Sequence, residues 1–390
     1  MKGAKMMNNF SFSMPAGIRF GIGIHRQLGK ILKEEMDFQK AFILTGRHIG
    51  KSGIIEKITA ALTEESVTWE VFAEAVPEPA VEDIDRIAEV LRKSEADVVI
   101  AVGGGSPIDT AKAVCMLMTH EGSCRDYLFG RSKTVTKPGL PLIAVPTTAG
   151  SGSEMTAASV IEDKQKNVKL SITSTYLIPK MALIDPELQT GMPKFITATT
   201  GMDALTHAIE SYVSTRENPV ADVFAQKAIE LIGRSIRIAA EDGENLHARA
   251  DMALASTLAG VAFMNGGLGV VHGISQTIGA VAHVAHGEAN ALLLPYCMKK
   301  NAPACPDKFR DIAVWLGEDV SSLTTEQAAE KAAEAAFRLA EELKIPTKLK
   351  ETGVTRDMFD DIIKGTMGYR MLAINPKKIT EEDVRDILEE

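Results

Sequence analysis

The sequence predicts an α/β domain with a doubly wound parallel sheet over residues 1–185 and an all-helical domain over residues 186–390. Two observations carry this prediction. In the first half, short apolar runs alternate with helix-length stretches, which is typical of parallel strands joined by right-handed helical crossovers. After the apolar run at 181–184 the strand signals fade and alanine-rich helical patterns dominate. This change of pattern places the predicted boundary at residue 185.

The predicted strands are short apolar runs bounded by Gly, Pro or Asp, and they lie at residues 41–44, 69–72, 98–102 and 142–145. In the same half, the helical pattern predicts helices at residues 54–62, 81–91 and 108–118. In the second half, the predicted helices lie at residues 220–240, 246–264 and 326–343. The last of these is rich in alanine and glutamate, which have high helix propensity.

The composition is that of a folded, acidic protein. Hydrophobic residues make up 45% of the 390 residues, which excludes a disordered chain. Lys and Arg number 43 against 52 Asp and Glu, so the net charge of −9 gives no global positive field for nucleic acid. Apolar stretches are interrupted well before the length of about 18 residues that a membrane span needs. We therefore expect no nucleic-acid partner and no membrane partner.

The cysteines and the N-terminus bear on the compartment. Cys115, Cys124, Cys297 and Cys305 form no C-x-x-C pair and are too few for a disulfide framework, so we expect reduced thiols. Residues 1–15 contain no apolar segment of the kind that a secretory signal needs. These two observations together predict a cytoplasmic protein.

A glycine turn follows the third predicted strand. The run at 98–102 passes directly into GGGSPIDTAK at 103–112, a turn that opens a helix with proline near its start. Glycines let an anion approach the backbone, and the N–H groups of a helix N-terminus attract negative charge. A second small-residue loop, PTTAGSGSE at 146–154, follows the next strand. Two such loops at one sheet edge suit a long anionic ligand such as a dinucleotide; the alternative is two tight turns without a ligand.

One aspartate and several histidines have the spacing of a metal site. Asp203 and His207 are four residues apart and share one face of a predicted helix. His272 and His286 lie in small, apolar surroundings that indicate burial, and buried imidazoles need polar partners. One carboxylate with two or three imidazoles suits a divalent first-row metal with an open coordination position. The alternative is that Asp203, His207 and Glu210 form a solvated polar face.

His272 and His286 cannot both face one metal from a single straight helix. The 14 residues between them would span roughly 21 Å of helix. We therefore expect a chain reversal between them, at Gly279 or shortly after it. The histidines outside this region are expected to be surface residues or incidental to the site, and they are His25, His48, His120 and His247.

Taken together, these motifs resemble the iron-containing (group III) alcohol dehydrogenase family. The matching segments are GGGSPIDTAK at 103–112, PTTAGSGSE at 146–154, GMDALTHAIESYVS at 201–214, GLGVVHGISQTIGA at 267–280 and HVAHGEANALLLP at 283–295. The segments FSFSMPAGIRFGIG at 10–23 and INPKKITEEDVRDIL at 374–388 resemble the family as well. The resemblance implies a Rossmann-like N-terminal domain, a helical C-terminal domain of the dehydroquinate synthase-like architecture, and an active site in the cleft between them.

The resemblance also implies which residues form the site. The family's four metal-ligand positions are occupied by Asp203, His207, His272 and His286, with iron as the family's metal and zinc as an alternative that the same ligands suit. His283 occupies the position of a histidine near the substrate, and His283 and His272 are the catalytic candidates. The family's cofactor-contact positions are occupied by Gly46, Gly103, Gly104, Gly105, Ser106, Asp109, Thr147, Thr148, Ser151 and Lys169.

Two positions depart from common family patterns. Gln276 stands where some members carry a further histidine, four residues after the third ligand. Gly46 stands where NAD-preferring members often carry an aspartate, which hydrogen-bonds the ribose 2′-hydroxyl and repels a 2′-phosphate. Arg47 or Lys51 can instead pair with that phosphate, so we expect NADP, or use of both NADP and NAD. The alternative is that Arg47 and Lys51 only solvate a loop.

The resemblance predicts a metal-dependent, NAD(P)-linked alcohol dehydrogenase or aldehyde reductase that acts on a small alcohol or aldehyde and forms a homodimer or larger homo-oligomer. Hydride would pass between the alcohol carbon and the nicotinamide, with the metal as Lewis acid. His283 is predicted to relay a proton; the alternative is that it satisfies a backbone carbonyl. Three other functions stay open: a hydroxyacid–oxoacid transhydrogenase, a dehydroquinate-synthase-like lyase, and a non-catalytic metal- or nucleotide-binding protein.

Overall fold

The computed structural model describes residues 9–14, 17–165 and 168–390. The prediction about a secretory signal falls largely on residues 1–8, which lie outside the described residues. By Cα proximity the chain forms two units, which are treated separately below. One unit, here the sheet unit, comprises residues 14–204 and 235–260; the other, here the helical unit, comprises the segment ending at Ser13 together with residues 205–234 and 261–390.

The sheet unit contains a six-stranded sheet and a two-stranded hairpin. The strands are β1 (Gly17–Phe20), β2 (Lys40–Gly46), β3 (Thr68–Ala75), β4 (Val98–Gly103), β5 (Leu142–Pro146), β6 (Ala158–Asp163), β7 (Val168–Thr173) and β8 (Met181–Ile184). The large sheet has the order β1-β8-β5-β4-β2-β3 with every pair parallel, and β6 pairs with β7 in antiparallel fashion. The four predicted strands lie within β2, β3, β4 and β5, whereas β1, β6 and β7 were not predicted.

The helices of the described residues include all six that the helical pattern predicts. They are α1 (Leu28–Lys30), α2 (Ile54–Glu64), α3 (Val81–Ser94), α4 (Gly105–Leu117), α5 (Lys194–Val213), α6 (Pro219–Glu241), α7 (Leu246–Gly266), α8 (Val270–Ala282), α9 (His286–Asn301), α10 (Pro306–Trp315), α11 (Thr325–Glu342), α12 (Phe359–Met367) and α13 (Glu381–Glu389). The six predicted helices correspond to α2, α3, α4, α6, α7 and α11, with ends that differ by a few residues.

Helices cover both faces of the large sheet, as the prediction of a doubly wound sheet requires. Phe42 and Leu44 of β2 point into a core shared with α3 and α4. Their neighbours Ala41 and Ile43 point into a second core, shared with α1 and α2. Since successive side chains of a strand point to opposite faces, a strand buried on both faces reads as a continuous apolar run. This is why β2, β4 and β5 were visible in the sequence.

The strand order reverses between β2 and β4. From β2 the chain continues outward to β3, then returns to place β4 on the other side of β2. Thr45 at the end of β2 pairs with Val102 of β4, and the Thr45 hydroxyl donates to the Val102 carbonyl at 2.7 Å. Open α/β sheets bind ligands at such a reversal, outside the carboxyl ends of the strands. Gly46 and Gly103, both predicted cofactor contacts, directly follow these two pairing residues.

The helical unit holds the second half of α5, the first part of α6, the end of α7, and α8 to α13. Within it, α8 packs against α9 and α12, and α10 packs against α11. Two of its helices begin at capping boxes, in which Thr324 pairs with Gln327 and Thr380 pairs with Asp383. Such reciprocal hydrogen bonds satisfy backbone N–H groups that a helix start leaves without an intrahelical partner.

The sheet unit includes helical segments that follow residue 185. Among the described residues the last strand is β8, which ends at Ile184. The buried guanidinium of Arg249 on α7 donates to the Gly243 carbonyl at 2.8 Å, the Thr197 hydroxyl at 2.8 Å and the Met192 carbonyl at 3.1 Å. These bonds tie α7 to the start of α5. The division of the chain at 185 stays a prediction.

Among the described residues, no single helix is both long enough and apolar enough to cross a membrane. The helices α7 and α8 reach that length and composition only together, and they form a bent pair.

Of the four histidines expected at the surface or as incidental to the site, two do not lie at the surface. His48 and His247 are exposed, but His25 and His120 are buried. His25 follows β1, and its Nδ1 lies 2.5 Å from Oδ2 of Asp185, which follows β8. The Asp185 carboxylate also accepts backbone N–H bonds from Gly23, His25 and Glu187 at 2.9–3.0 Å. Asp185 therefore joins the ends of two neighbouring strands.

We predict that Asp185→Asn lowers the free energy of unfolding at pH 7 by about 2–4 kcal/mol. The carboxylate accepts four N–H groups on two oxygens, whereas an amide would turn an NH₂ group toward two of them. Urea denaturation followed by circular dichroism measures the difference from the wild-type protein.

The same variant has a predicted pH dependence. Burial raises the pKa of Asp185, but the hydrogen bonds from His25, Gly23 and Glu187 outweigh it and hold the pKa below its usual value. The stabilisation by the ionised carboxylate is thus complete above about pH 4 and is lost as the pH falls through the folded-state pKa. The stability difference between wild-type protein and variant should shrink below about pH 4; a constant difference would contradict the account.

Candidate functional site

The glycine turn after β4 lies directly against the loop after β5. Gly103 has φ +153°, and α4 begins at Gly105. A Cβ on Gly104 would stand 3.2 Å from the Thr148 hydroxyl, and a Cβ on Gly105 would stand 3.1 Å from the Ser151 hydroxyl. Side chains at these glycines would push the two loops apart. The sequence suggested that these glycines let a ligand approach the backbone. In the structure they let the two loops approach each other.

The two loops together form a polar cradle at the carboxyl ends of β4 and β5. The backbone N–H of Thr147 donates to the Gly103 carbonyl at 2.9 Å, which holds the loops in register. The first turn of α4 presents backbone N–H groups and the positive end of a helix of 13 residues. The hydroxyls of Ser106, Thr148 and Ser151 lie beside this turn on half-buried residues. The predicted cofactor residues at 103–106 and 147–151 are thus close together in the structure.

Asp109 lies one turn further along α4 and bonds within the protein. Its Oδ1 accepts from the Ser153 hydroxyl at 2.5 Å, and its Oδ2 accepts from the Val160 N–H at 3.0 Å. It thus connects α4 to the loop after β5 and to β6. Contact between Asp109 and a cofactor stays a prediction.

The buried Lys112 strengthens the same connection. Its ammonium group donates to the Ser153 hydroxyl at 3.0 Å, the Thr156 hydroxyl at 2.8 Å and the Ala158 carbonyl at 2.8 Å. Burial lowers the pKa of Lys112, while Asp109 and Glu154 act in the opposite direction. The sequence analysis did not single out Lys112, although it belongs to the GGGSPIDTAK segment. A lysine in an otherwise apolar helix face was the available signal.

Lys169 on β7 reaches the cradle through another residue. Its ammonium group forms an ion pair with the carboxylate of Glu78. The Glu78 backbone N–H donates to the Ser106 hydroxyl at 3.4 Å, at the start of α4. Lys169 therefore connects to the cradle through Glu78 and does not contact Ser106 through a hydrogen bond of its own in this chain of contacts. Gly46 ends β2 on the other side, where Arg47 and Lys51 are exposed.

The four predicted metal ligands converge. Asp203 and His207 come from successive turns of α5, His272 from α8 and His286 from the first residue of α9. Each offers one ligand atom, and these atoms all lie within 4.8 Å of one another. Ligand atoms around a tetrahedral cation are about 3.5 Å apart when the bonds are about 2.1 Å, so small side-chain shifts close this set on one ion. A carboxylate oxygen with three imidazole nitrogens suits a divalent first-row metal.

Burial decides between the two interpretations of the α5 face. Asp203, His207 and Glu210 are each only 4% exposed, so the alternative of a solvated polar face is wrong. His286 is the least buried of the four candidate ligands. The His207 ring stacks between Phe263, at a centroid distance of 4.3 Å, and His272, at 4.7 Å. The ring planes are fixed by this packing.

The chain reversal between His272 and His286 is present, but His283 makes it. Gly279 is buried inside α8 and does not itself form the turn, so of the two predicted positions the later one, shortly after Gly279, is the correct one. His283 follows the last residue of α8 with φ +55°, in the left-handed region, and α9 begins at His286. Histidine is among the residues that adopt this region more often than most. The exposed His283 side chain lies just before the metal ligand His286.

Gln276 lies one turn after His272 on α8. It is exposed and hydrogen-bonds the side chain of Tyr369. Burial raises the pKa of Tyr369, which keeps its hydroxyl neutral. The pair gives this side of α8 an uncharged, hydrogen-bonding character.

Three polar residues around the ligands were not predicted as functional. The Glu210 carboxylate lies 2.6 Å from Nδ1 of His272. The Asn290 amide nitrogen lies 3.2 Å from Nε2 of His272 and 3.1 Å from Nε2 of His286. Asn375 accepts the Val270 N–H at the start of α8, at 3.1 Å. Glu210 shares the α5 face of Asp203 and His207, and this spacing was the one signal for it.

Comparisons with known proteins agree with this arrangement. The family model described as "Iron-containing alcohol dehydrogenase" matches residues 15–186, and the model described as "Fe-containing alcohol dehydrogenase family, C-terminal" matches residues 197–390. The chain is 38% identical to long-chain-alcohol dehydrogenase 1 of Geobacillus thermodenitrificans over 89% of this chain and 88% of the relative. It is 37% identical to the NAD-dependent methanol dehydrogenase of Bacillus methanolicus over 98% of this chain and 99% of the relative.

The fold is also similar to solved structures of dehydrogenases. The structure of a 1,3-propanediol oxidoreductase superposes with a TM-score of 0.94 at 36% identity, covering 98% of this chain and 99% of the other. An alcohol dehydrogenase from Oenococcus oeni superposes with a TM-score of 0.94 at 35% identity, with the same coverage. Both family models, the curated relatives and the shared fold show that the chain belongs to the iron-containing alcohol dehydrogenase family and is an NAD(P)-linked oxidoreductase acting on CH–OH groups.

Proposed function

We propose that this protein oxidises a small primary alcohol, and reduces the matching aldehyde in reverse, at a divalent metal held by Asp203, His207, His272 and His286. The observation that carries the proposal is the convergence of these four ligand atoms. When bound, the metal supplies Lewis-acid chemistry that favours the deprotonated alcohol or polarises the carbonyl. Methanol and 1,3-propanediol, which name two of the relatives, share a primary hydroxyl group, and this supports the substrate class.

The residues of the chain bind and orient the reactants in this proposal. The glycine turn at 103–106 and the hydroxyl loop at 147–151 hold the diphosphate of the cofactor through backbone N–H groups and hydroxyls. Lys169, next to Glu78, adds positive charge for that group. The imidazoles of His207 and His272 keep their positions through stacking, so that the ligand set is ordered before substrate arrives.

Ferrous iron is the proposed metal, with zinc as the second candidate. Support for iron comes from the family to which the chain belongs. Three imidazoles and one carboxylate also suit zinc, which binds nitrogen and oxygen ligands in tetrahedral sites. Anaerobic loading of the metal-free protein with either ion therefore belongs to the test of activity.

The activity test compares the wild-type protein with His272→Ala. We expect the wild-type protein, loaded with Fe²⁺ or Zn²⁺, to reduce a nicotinamide cofactor with short primary alcohols. The variant should lose nearly all turnover and most of its bound metal, because one of four ligands is gone. Elemental analysis and cofactor absorbance are the two measurements.

His247→Ala is the matched control for that experiment, because His247 is exposed on α7 and outside the ligand set. It should keep its metal and its activity. Full activity of His272→Ala with the metal demonstrably absent would refute the proposed role of the metal.

For the cofactor we propose NADP, or use of both NADP and NAD. Support comes from Gly46, which ends β2 beside the reversal of strand order, and from the exposed Arg47 and Lys51 that follow it. Without a carboxylate at this strand end, nothing there repels a 2′-phosphate. One relative is named as NAD-dependent, which is compatible with use of both cofactors.

Gly46→Asp is predicted to shift the preference toward NAD. The new carboxylate would repel the 2′-phosphate and accept a bond from the ribose hydroxyl, so kcat/KM with NADP should fall about 10–100-fold relative to NAD. Gly46→Ala is the matched control, since it adds the Cβ, which would stand 3.2 Å from the Ala75 carbonyl, without the charge. An equal change in both variants would show that space, and not charge, sets the preference.

His283 is proposed to relay a proton between the substrate and solvent. Support comes from its exposed imidazole, three residues before His286. Because its φ of +55° favours glycine, His283→Gly removes the imidazole and keeps the turn, whereas His283→Ala also strains the turn.

We expect His283→Gly to lower kcat by about 100-fold or more, with metal content unchanged. Steady-state rates between pH 5 and 10 and elemental analysis test this expectation. If His283→Gly keeps the wild-type kcat and only His283→Ala loses activity, His283 acts through its backbone and not as a relay.

Two properties of the whole protein complete the proposal. A homodimer or larger homo-oligomer is supported by exposed apolar side chains at the edge strand β1, where Phe20 and the following Ile22 face solvent. A reducing, cytoplasmic location is supported by the four cysteines, all of which lie within the described residues and are unpaired.

A further inference from the structure

We propose that Glu210 is a positioning residue of the metal centre: it holds His272 in the tautomer that protonates Nδ1, so that the lone pair of Nε2 faces the metal. The inference rests on the proposed function, in which His272 is a metal ligand. It adds a residue that does not touch the metal itself. In this account, the affinity of the site for a metal depends on Glu210 as well as on the four ligands.

The hydrogen bonds of Glu210 favour one arrangement of protons, in which the carboxylate is ionised. Its carboxylate is 4% exposed and faces the start of α8. Oε1 accepts the Val271 N–H at 2.7 Å, and Oε2 lies 2.6 Å from Nδ1 of His272. An ionised carboxylate only accepts hydrogen bonds, so Nδ1 of His272 carries the proton. In a neutral imidazole the proton on Nδ1 leaves Nε2 as the acceptor, which is the form that a metal binds.

The contact on the opposite side of the ring is compatible with this tautomer. The Asn290 amide nitrogen lies 3.2 Å from Nε2 of His272 and 3.1 Å from Nε2 of His286. An NH₂ group placed between two ring nitrogens donates to both, so both Nε2 atoms act as acceptors. The Asn290 contact therefore fits the tautomer that Glu210 favours. Which ring nitrogen carries the proton is set by the hydrogen bond that the other nitrogen makes.

The approach of Glu210 to α8 is itself built into the chain. A Cβ on Gly269 would stand 3.1 Å from Oε1 of Glu210 and 2.6 Å from the side-chain oxygen of Asn375. Glycine at 269 leaves room for both side chains at the first turn of α8. Asn375 accepts the Val270 N–H and Glu210 accepts the next one, at Val271. Glu210 thus fixes both the helix start and the ring that projects from it.

Glu210→Gln is the discriminating variant. Glutamine has one acceptor, so if its oxygen keeps the Val271 N–H, its NH₂ group faces Nδ1 of His272 and favours the other tautomer. Nε2 would then carry the proton that the metal must displace. We expect the dissociation constant for Zn²⁺, measured by competition with a chromophoric chelator, to rise about 10–100-fold. The metal content at saturation should stay at the wild-type value.

Asp163→Asn is the matched control, because Asp163 is a fully buried carboxylate of the sheet unit, paired with Arg131, and belongs to neither cluster of possible metal ligands among the described residues. This variant should lose stability and keep its Zn²⁺ affinity. Glu210→Asp keeps the charge with a shorter reach, and we expect it to recover part of the lost affinity. Long-range ¹H–¹⁵N spectra of ¹⁵N-histidine-labelled, metal-free wild-type protein should show His272, assigned with His272→Ala, protonated at Nδ1.

The outcomes separate this inference from the proposed function. Wild-type protein that takes up no Zn²⁺ would overturn the proposed metal site and the inference together. Normal uptake by the wild-type protein with an unchanged dissociation constant for Glu210→Gln would overturn the inference alone. So would a spectrum that shows His272 protonated at Nε2, and this measurement needs no folded Glu210 variant. Equal losses of Zn²⁺ affinity in Glu210→Gln and Asp163→Asn would show a general effect of stability and also overturn it.

Discussion

The site depends on holding one carboxylate and three imidazoles with their lone pairs directed at one point. Such groups lose hydration on burial, so each needs a partner that fixes its orientation. The sequence supplies these partners from several helices: Phe263 and His272 stack on His207, and Glu210 holds His272. The candidate site therefore depends on the buried contacts that orient its side chains as well as on the four side chains themselves.

The cradle in the sheet unit follows the same rule with the opposite charge. There a buried cation, Lys112, donates to three oxygens and holds the loop after β5 against α4. The Asp109 carboxylate accepts hydrogen bonds from Ser153 of the same loop and from Val160 of β6. Burying an ammonium group is unfavourable unless all its protons are bonded, and the lowered pKa of Lys112 reflects its burial. The glycines at 103–105 leave space, but charged groups beneath them fix the shape of the loops.

The sequence was sufficient wherever one physical signal dominates. Strands such as β4, buried on both faces, appear as apolar runs, and the i,i+4 spacing of Asp203 and His207 marks a shared helix face. It was insufficient where tertiary contacts decide. The polar face with Glu210 has the same pattern whether it is solvated or buried. The reversal was predicted at Gly279 or shortly after it, but nothing in the sequence singled out His283, which adopts the positive φ where glycine is usual.

The short strands and the C-terminal segment show why the remainder could not be predicted. β1 and β8 have only four residues each, too few for a periodic pattern. The segment at Ile374 and Asn375 has no regular structure signal, but its contacts reach all three helices that carry ligands. The Ile374 carbonyl accepts the Thr215 N–H just after α5, at 2.9 Å.

Asn375 completes this connection. It accepts the Val270 N–H at the start of α8, and it exchanges amide hydrogen bonds with Asn301 at the end of α9, at 2.7 and 3.2 Å. The turn at His283 joins the end of α8 to the start of α9. It does not constrain the other two ends, which are the start of α8 and the end of α9. The Asn375–Asn301 pair joins the start of α8 to the end of α9, and the reversal at His283 joins their other ends. His272 and His286 are thereby fixed on a closed frame, so a segment far along the chain supports the helices that carry these two candidate ligands.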